Sequence, residues 1–270
     1  MTTELLLLWS ALALYALAGS TAVGATLAAR RMQRAVLALL VIGLAVHAAA
    51  IGLRWERLGH GPFITLFEIL SSNVWSLLLI FLLACWRVPA VRPAAMVVMP
   101  ILLLMIAWLL ATSPADGHLP PTYRTIWLYI HVLFGKVFLG SVLVAVGIAG
   151  LILLRHWAVF ARRLARLPDS ARLENLAFRF MMLGFAFETL MLIVGAVWAQ
   201  DAWGRYWAWD PLETWAFLTW LTLAFFVHAR TTFKLQPRHS ALLIIGVFVL
   251  AFLTFFGVPF VSTAAHKGAV

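Results

Sequence analysis

The chain has 270 residues, of which 64% are hydrophobic and 11% charged, and it carries a formal net charge of +10. A composition this apolar exceeds what one soluble core can bury, which excludes a water-soluble globular domain and indicates a polytopic membrane protein. The positive charge does not point to nucleic acid, because the basic residues fall in alternate connections between apolar segments, as in membrane proteins.

Crossing a hydrocarbon core of ~30 Å takes about 20 apolar helical residues. Runs of that kind are predicted at about 5–28, 35–53, 65–86, 94–112, 126–154, 176–198, 213–229 and 241–259. The expected fold is therefore all-α: one transmembrane domain, 1–270, built as a bundle of about eight helices. The first run lacks the basic residues that precede the apolar stretch of a signal peptide, and Arg30 and Arg31 follow it, so it is expected to stay as a helix.

Charge sets the expected orientation. Arg30, Arg31, Arg34, Arg87, Arg92, Arg155, Arg162, Arg163, Arg166, Arg172, Arg230, Lys234 and Arg238 occupy one set of connections. The other set holds Arg54, Arg57, Arg124, Arg205 and Lys267. The positive-inside rule places the richer set in the cytoplasm and both termini on the extracytoplasmic side. The basic, amphipathic connection Arg155 to Arg172 reads as a solvated segment facing lipid headgroups. On the opposite side, Arg54 to Phe63 and Ser113 to Thr122 read as loops from their Gly and Pro content. Cys85 is the only cysteine, so the chain has no disulfide, Cys-x-x-Cys pair or Cys-x-x-Cys-His motif of its own.

The most informative stretch lies between Trp198 and Trp220, which holds six of the thirteen tryptophans. Indole is apolar with one N–H to satisfy, so a dense cluster suits a boundary that is apolar on one side and wet on the other. An external Trp-rich loop, 198–215, is expected to form a platform for a large flat amphipathic ligand. Trp203, Tyr206, Trp207 and Trp209 are the expected ligand-facing set around Gly204, with Trp198 and Trp215 at its ends. Asp210, Pro211 and Glu213 match N-cap, N1 and N3 of a helix start, so both carboxylates are expected to be scaffold.

Among the eight histidines, His131 opens span five and His266 lies just past span eight, both on the side of the Trp-rich loop. The pair reads either as two solvated interfacial imidazoles or as the two neutral imidazoles that axial ligation of a haem iron requires. His228 lies fifteen helical residues beyond Glu213, about 22 Å away at ~1.5 Å per residue, near the cytoplasmic face. It reads as an interface residue or as a receiver of a ligand entering from inside. His47 in span two lies at a depth similar to Glu68 in span three, and a hydrogen-bonded pair is expected there. Lys136 and Glu188 lie about 14–15 Å below the outer surface, where unpaired charge is costly, so they are expected to pair.

The run Trp-Gly-Arg-Tyr-Trp-Ala-Trp-Asp-Pro-Leu-Glu-Thr-Trp resembles the WWD motif of haem-handling membrane proteins. The segments around His131, His228 and His266, and the stretch from Gly52 to Glu68, are similar to those of the CcsA (ResC) subunit of the System II cytochrome c synthase. This resemblance implies cytochrome c biogenesis with haem b as cofactor, in a bacterial cytoplasmic or thylakoid-type membrane. It makes His131 and His266 external axial ligands and His228 a ligand of haem arriving from inside. It also implies a CcsB/ResB-type partner subunit, apocytochrome c as the protein substrate and, indirectly, thiol-reducing proteins. Two other relatives of the motif imply alternatives: a CcmC-type haem chaperone without ligation, and a HemX-type regulator of tetrapyrrole synthesis.

Overall fold

The computed structural model describes residues 2–27 and 33–258. Its described residues form helices and no strands: α1 (Thr3–Leu27), α2 (Gln33–Leu58), α3 (Leu66–Arg87), α4 (Ala95–Leu110), α5 (Ile126–Leu154), the short α6 (Ala158–Ala161), α7 (Ser170–Trp203), α8 (Pro211–Phe233) and α9 (Pro237–Phe256). All but α6 are part of spans long and apolar enough to cross a membrane, eight in number among the described residues. The chain is a multi-pass integral membrane protein.

Helix ends follow local chemistry. Two helices run well past their expected bounds because polar residues continue them beyond the hydrocarbon. α2 carries Arg54, Glu56 and Arg57 before Gly59 turns the chain at φ +72°. The expected loop 54–63 is thus helical as far as Leu58. α7 starts at the Asp169 cap and runs to Trp203, where Gly204 at φ +72° ends it.

The chain divides into two compact units. The first comprises residues 1–118 and 153–168. Here α1 packs on α2 through Gly43, where an added Cβ would lie 2.6 Å from the Tyr15 ring. Tyr15 and His47 are both fully buried, and the Tyr15 hydroxyl hydrogen-bonds His47 Nδ1 at 3.3 Å. His47 Nε2 meets Ser71 Oγ at 2.9 Å, not the expected Glu68. Glu68 is N3 of α3, so the capping box with Thr65 draws it to the helix end, one turn away from the buried imidazole.

Glu68 instead joins an ionic cluster. Arg54 Nε donates to Glu68 at 3.1 Å, and its Nη atoms donate to Glu4 and to the Pro114 and Ala115 carbonyls at 3.3, 3.2 and 2.8 Å respectively. Arg57 reaches Glu4 at 2.8 Å and Asp116 at 2.6 Å. The Arg57 guanidinium holds the Asp116 carboxyl below its ordinary range. Four chain segments are pinned together in this way.

The second unit comprises 119–152 and 169–270, and contains α5 through Ile152, α7, α8 and α9. Small residues set the α5–α7 seam. Gly184 faces Phe138 and Val142, Gly135 faces Met191, and Gly195 faces His131. α8 is tied to α7 by the Trp220 indole N–H donating to Thr189 at 2.8 Å, and to α9 by the Thr219–Thr254 hydroxyl pair at 3.0 Å. At the other end of α8, Arg230 chelates Glu174 at 3.1 and 3.0 Å over the Phe178 ring, and Ser240 donates to the same carboxylate.

Lys136 and Glu188 do not pair. The α5 residues facing α7 are His131, Gly135, Phe138 and Val142, and Glu188 lies on the matching stripe with Gly184, Met191 and Gly195. Lys136 is one residue off that stripe, about 100° around the helix. Similar depth was not enough; helical phase separates them. Both Glu188 carboxylate oxygens are buried without a hydrogen bond among the described residues.

Candidate functional site

The loop from Gly204 to Asp210 is held by one carboxylate. Glu213 Oε2 accepts from the Ala208 amide at 2.7 Å and the Asp210 amide at 3.4 Å, while Asp210 Oδ1 accepts from the Glu213 amide at 2.9 Å. This capping box, with Pro211 at N1, starts α8. Between its two ends Trp209 adopts φ +58°, a left-handed conformation that costs a non-glycine residue roughly 1–3 kcal/mol. Such strain persists only where the surroundings enforce it. Its effect is to leave the Trp209 ring 66% exposed, edge-on to Trp207 at 5.6 Å.

Two aromatic groups result. Tyr123, His131, Trp198 and Trp203 form one: Trp198 lies 5.7 Å from the His131 ring, 5.2 Å from Tyr123 and 5.1 Å from Trp203. Trp207, Trp209, Phe217 and Trp220 form the other, with Phe217 stacked on Trp220 at 5.9 Å. A cleft of about 180 Å³ is bounded by His131, Met191, Gly195, Trp198, Tyr206, Trp207, Glu213, Thr254 and Phe255 among others. Small-molecule sites usually measure ~300–1,000 Å³, so the cleft is smaller than one that encloses a whole ligand, and exposed Tyr206 stands at its wall.

His131 is set by its partner. Its Nδ1 lies 3.0 Å from the Met191 carbonyl oxygen, which only accepts, so the neutral ring carries its proton on Nδ1 and its basic lone pair on Nε2. A backbone carbonyl fixing the tautomer in this way is the usual support of a metal-binding imidazole. Gly195 makes the seat, because a Cβ there would lie 2.8 Å from Nδ1. The Trp207 indole N–H, also at the cleft, is buried without a hydrogen-bond partner. So is the Tyr123 hydroxyl behind Trp198, and burial pushes that phenol above its ordinary range.

The expected residues separate accordingly. Trp198, Tyr206, Trp207, Glu213 and His131 line the cleft. Trp203 and Trp209 stand behind Trp198 and Trp207, Gly204 and Asp210 shape the loop, and Trp215 offers its carbonyl to Thr219 and Thr254 from α8. Trp198 and Trp203 belong to helix α7 and Trp215 to α8, so the irregular loop is shorter than the expected 198–215. His228 lies apart, exposed on α8 with Phe233 edge-on at 6.3 Å. His266 lies outside the described residues. Sequence reasoning missed Tyr123, Met191, Gly195 and Thr254. Only Gly195 carried a readable sign, a glycine one turn from Trp198 within an apolar helix.

The family model described as "Cytochrome C assembly protein" matches residues 36–266. "Cytochrome c biogenesis protein CcsA" of Chlamydomonas reinhardtii is 32% identical over 225 residues, 79% of this chain and 62% of that protein. The CcsA proteins of Prochlorococcus marinus strain MED4 and of Guillardia theta are 32% and 31% identical, covering 79% and 80% of this chain and 76% and 79% of theirs. Among solved structures, "Cytochrome c Heme Lyase CcmF" superposes with a TM-score of 0.71 at 20% identity, over 95% of this chain and 47% of that one, a likeness of fold. With helices, Trp-rich loop and matched residues in agreement, this chain belongs to the cytochrome c assembly protein family, among the CcsA proteins.

Proposed function

We propose that this chain handles haem in c-type cytochrome biogenesis, receiving haem b and presenting it at the extracytoplasmic Trp-rich cleft for covalent attachment to apocytochrome c. The observation that carries this reading is His131, whose tautomer is fixed by the Met191 carbonyl and whose ring stands beside Trp198 at an apolar aromatic cleft. These groups fit an iron porphyrin: an imidazole for the metal, indole faces for the ring, and the partnerless Trp207 N–H for a polar edge.

In this scheme His131 and His266, from the C-terminal segment, would hold the iron. Trp198 and Trp207 keep water from the buried edge. The substrate polypeptide supplies a reduced Cys-x-x-Cys-His segment whose two thiols add across the two vinyl groups, each S–H proton ending on the vinyl carbon beyond the new C–S bond. This chain's one cysteine, Cys85, is buried in α3, so both thiols come from the substrate. Thiol-reducing proteins therefore act on the substrate.

His228, on an exposed helix face, has room for a ligand shared with another chain. That position supports a CcsB/ResB-type partner that completes an entry site for haem from the cytoplasmic side. Tethered tryptophans alone would also serve a chaperone without ligation, of CcmC type, and a HemX-type regulator would need no cleft at all. Co-expression with the partner and an apocytochrome c, scored by haem stain after denaturation, separates the readings. The synthase reading expects covalent haem with the wild type and a loss of at least about tenfold with His131→Ala or without the partner. Equal covalent haem in all three overturns it.

A further inference from the structure

The connection between α5 and α7 is folded rather than loose. Arg155 donates through Nη2 to the Leu164 and Leu167 carbonyls, both at 3.0 Å, and Leu164 is 1% exposed. Residues 155–168 are thereby closed on themselves directly after the end of α5. The same fold turns two large apolar side chains outward: Trp157 is 68% exposed and Val159 66%. Arg162, Arg163 and Arg166 are exposed as well, and none of them makes a hydrogen bond or ion pair among the described residues. No acidic residue occurs between Arg155 and Asp169, and Asp169 is engaged with Arg172.

This contrasts with three cations elsewhere. Arg54, Arg57 and Arg230 are each engaged by carboxylates. Three unmatched guanidiniums beside an exposed indole, on a segment anchored within headgroup reach of the hydrocarbon, match the chemistry of a phospholipid surface that carries negative charge. Guanidinium donors fit phosphate oxygens, and indole is at home at headgroup level.

We propose that residues 155–168 form a binding platform for anionic phospholipid headgroups, with Arg162, Arg163 and Arg166 as phosphate contacts and Trp157 as the interfacial anchor. An acidic soluble protein would have no use for the outward Trp157 and Val159 at bilayer level, which is why lipid is the occupant assigned. This platform is independent of haem handling, because none of these residues is assigned to haem.

The test uses the full chain in nanodiscs of phosphatidylcholine containing spin-labelled phosphatidylglycerol or spin-labelled phosphatidylcholine. Wild type should hold the anionic label preferentially, and the preference should weaken in high salt. The R162Q/R163Q/R166Q variant should lower it by at least about fivefold, the effect of roughly one surface cation or more. Trp157→Ala should lower retention of both labels near this segment. Circular dichroism confirms that the variants remain folded. Equal retention of the two labels by wild type, or an unchanged preference in the triple variant, overturns the proposal. Loss of binding to an acidic protein with lipid preference intact overturns it too.

Discussion

Two sets of buried polar groups, one in each unit, are treated in opposite ways. In the first, Arg54 is satisfied by Glu4, Glu68 and two loop carbonyls, and His47 by Tyr15 and Ser71. In the second, the Trp207 N–H, the Tyr123 hydroxyl and both Glu188 oxygens are buried without hydrogen bonds, and Trp209 is held in a left-handed conformation close by. Native proteins pair nearly all buried polar atoms, so unpaired ones stand out, and of these the Trp207 N–H lies at the cleft itself.

That contrast can be broken by substitution. The largest effect is expected for Arg54→Ala, which takes from buried Glu68 its ion-pair partner while Glu4 keeps Arg57, and should cost about 3–5 kcal/mol, read as a lower midpoint of unfolding in detergent. An unchanged midpoint would mean the cluster is not scaffold. Next, Gly195→Ala should leave the fold intact, yet push His131 off its seat and reduce haem retention in the complex by at least about tenfold. Retention at wild-type level would show that the close approach of α7 to the imidazole is unimportant.

Glu188→Leu reverses the sign. Removing a buried carboxyl that has no partner should raise stability by about 1–3 kcal/mol, the opposite of any apolar replacement in the Arg54 cluster. A lower midpoint would show that the carboxyl is engaged after all. The smallest effect concerns Asp116, whose carboxyl is held low by Arg57. Its stabilising contribution is present above the ordinary carboxylate range and is lost as pH falls through the lowered value. Because the side chain is 48% exposed, that contribution should be no more than about 0.5 kcal/mol. It should vanish from the pH profile in Asp116→Asn.

Most of the architecture was legible because hydropathy alone places membrane helices, and the span 126–154 coincides with α5. Helix ends were less legible: α7 continues past Trp198 because nothing in Ala199 to Trp203 forbids a helix before Gly204. Within the site, the Asp210–Glu213 cap and the cleft-lining Trp198, Tyr206 and Trp207 could be read from local spacing. Partners across helices could not. The Lys136–Glu188 and His47–Glu68 pairings were inferred from depth, whereas contact also requires rotational phase, which a sequence gives only once the facing helices are known. Met191 and Gly195 belong to the site through a backbone carbonyl and a missing Cβ, features that leave no mark in side-chain chemistry.

The central claim is that His131 binds haem iron at the Trp-rich cleft. It is tested most directly by the optical and resonance Raman spectra of the purified, haem-loaded complex, wild type against His131→Ala, with and without added imidazole. Wild type should give a low-spin bis-imidazole spectrum, the variant should lose that signature, and supplied imidazole should restore it. An identical low-spin spectrum in the variant without imidazole would contradict the claim.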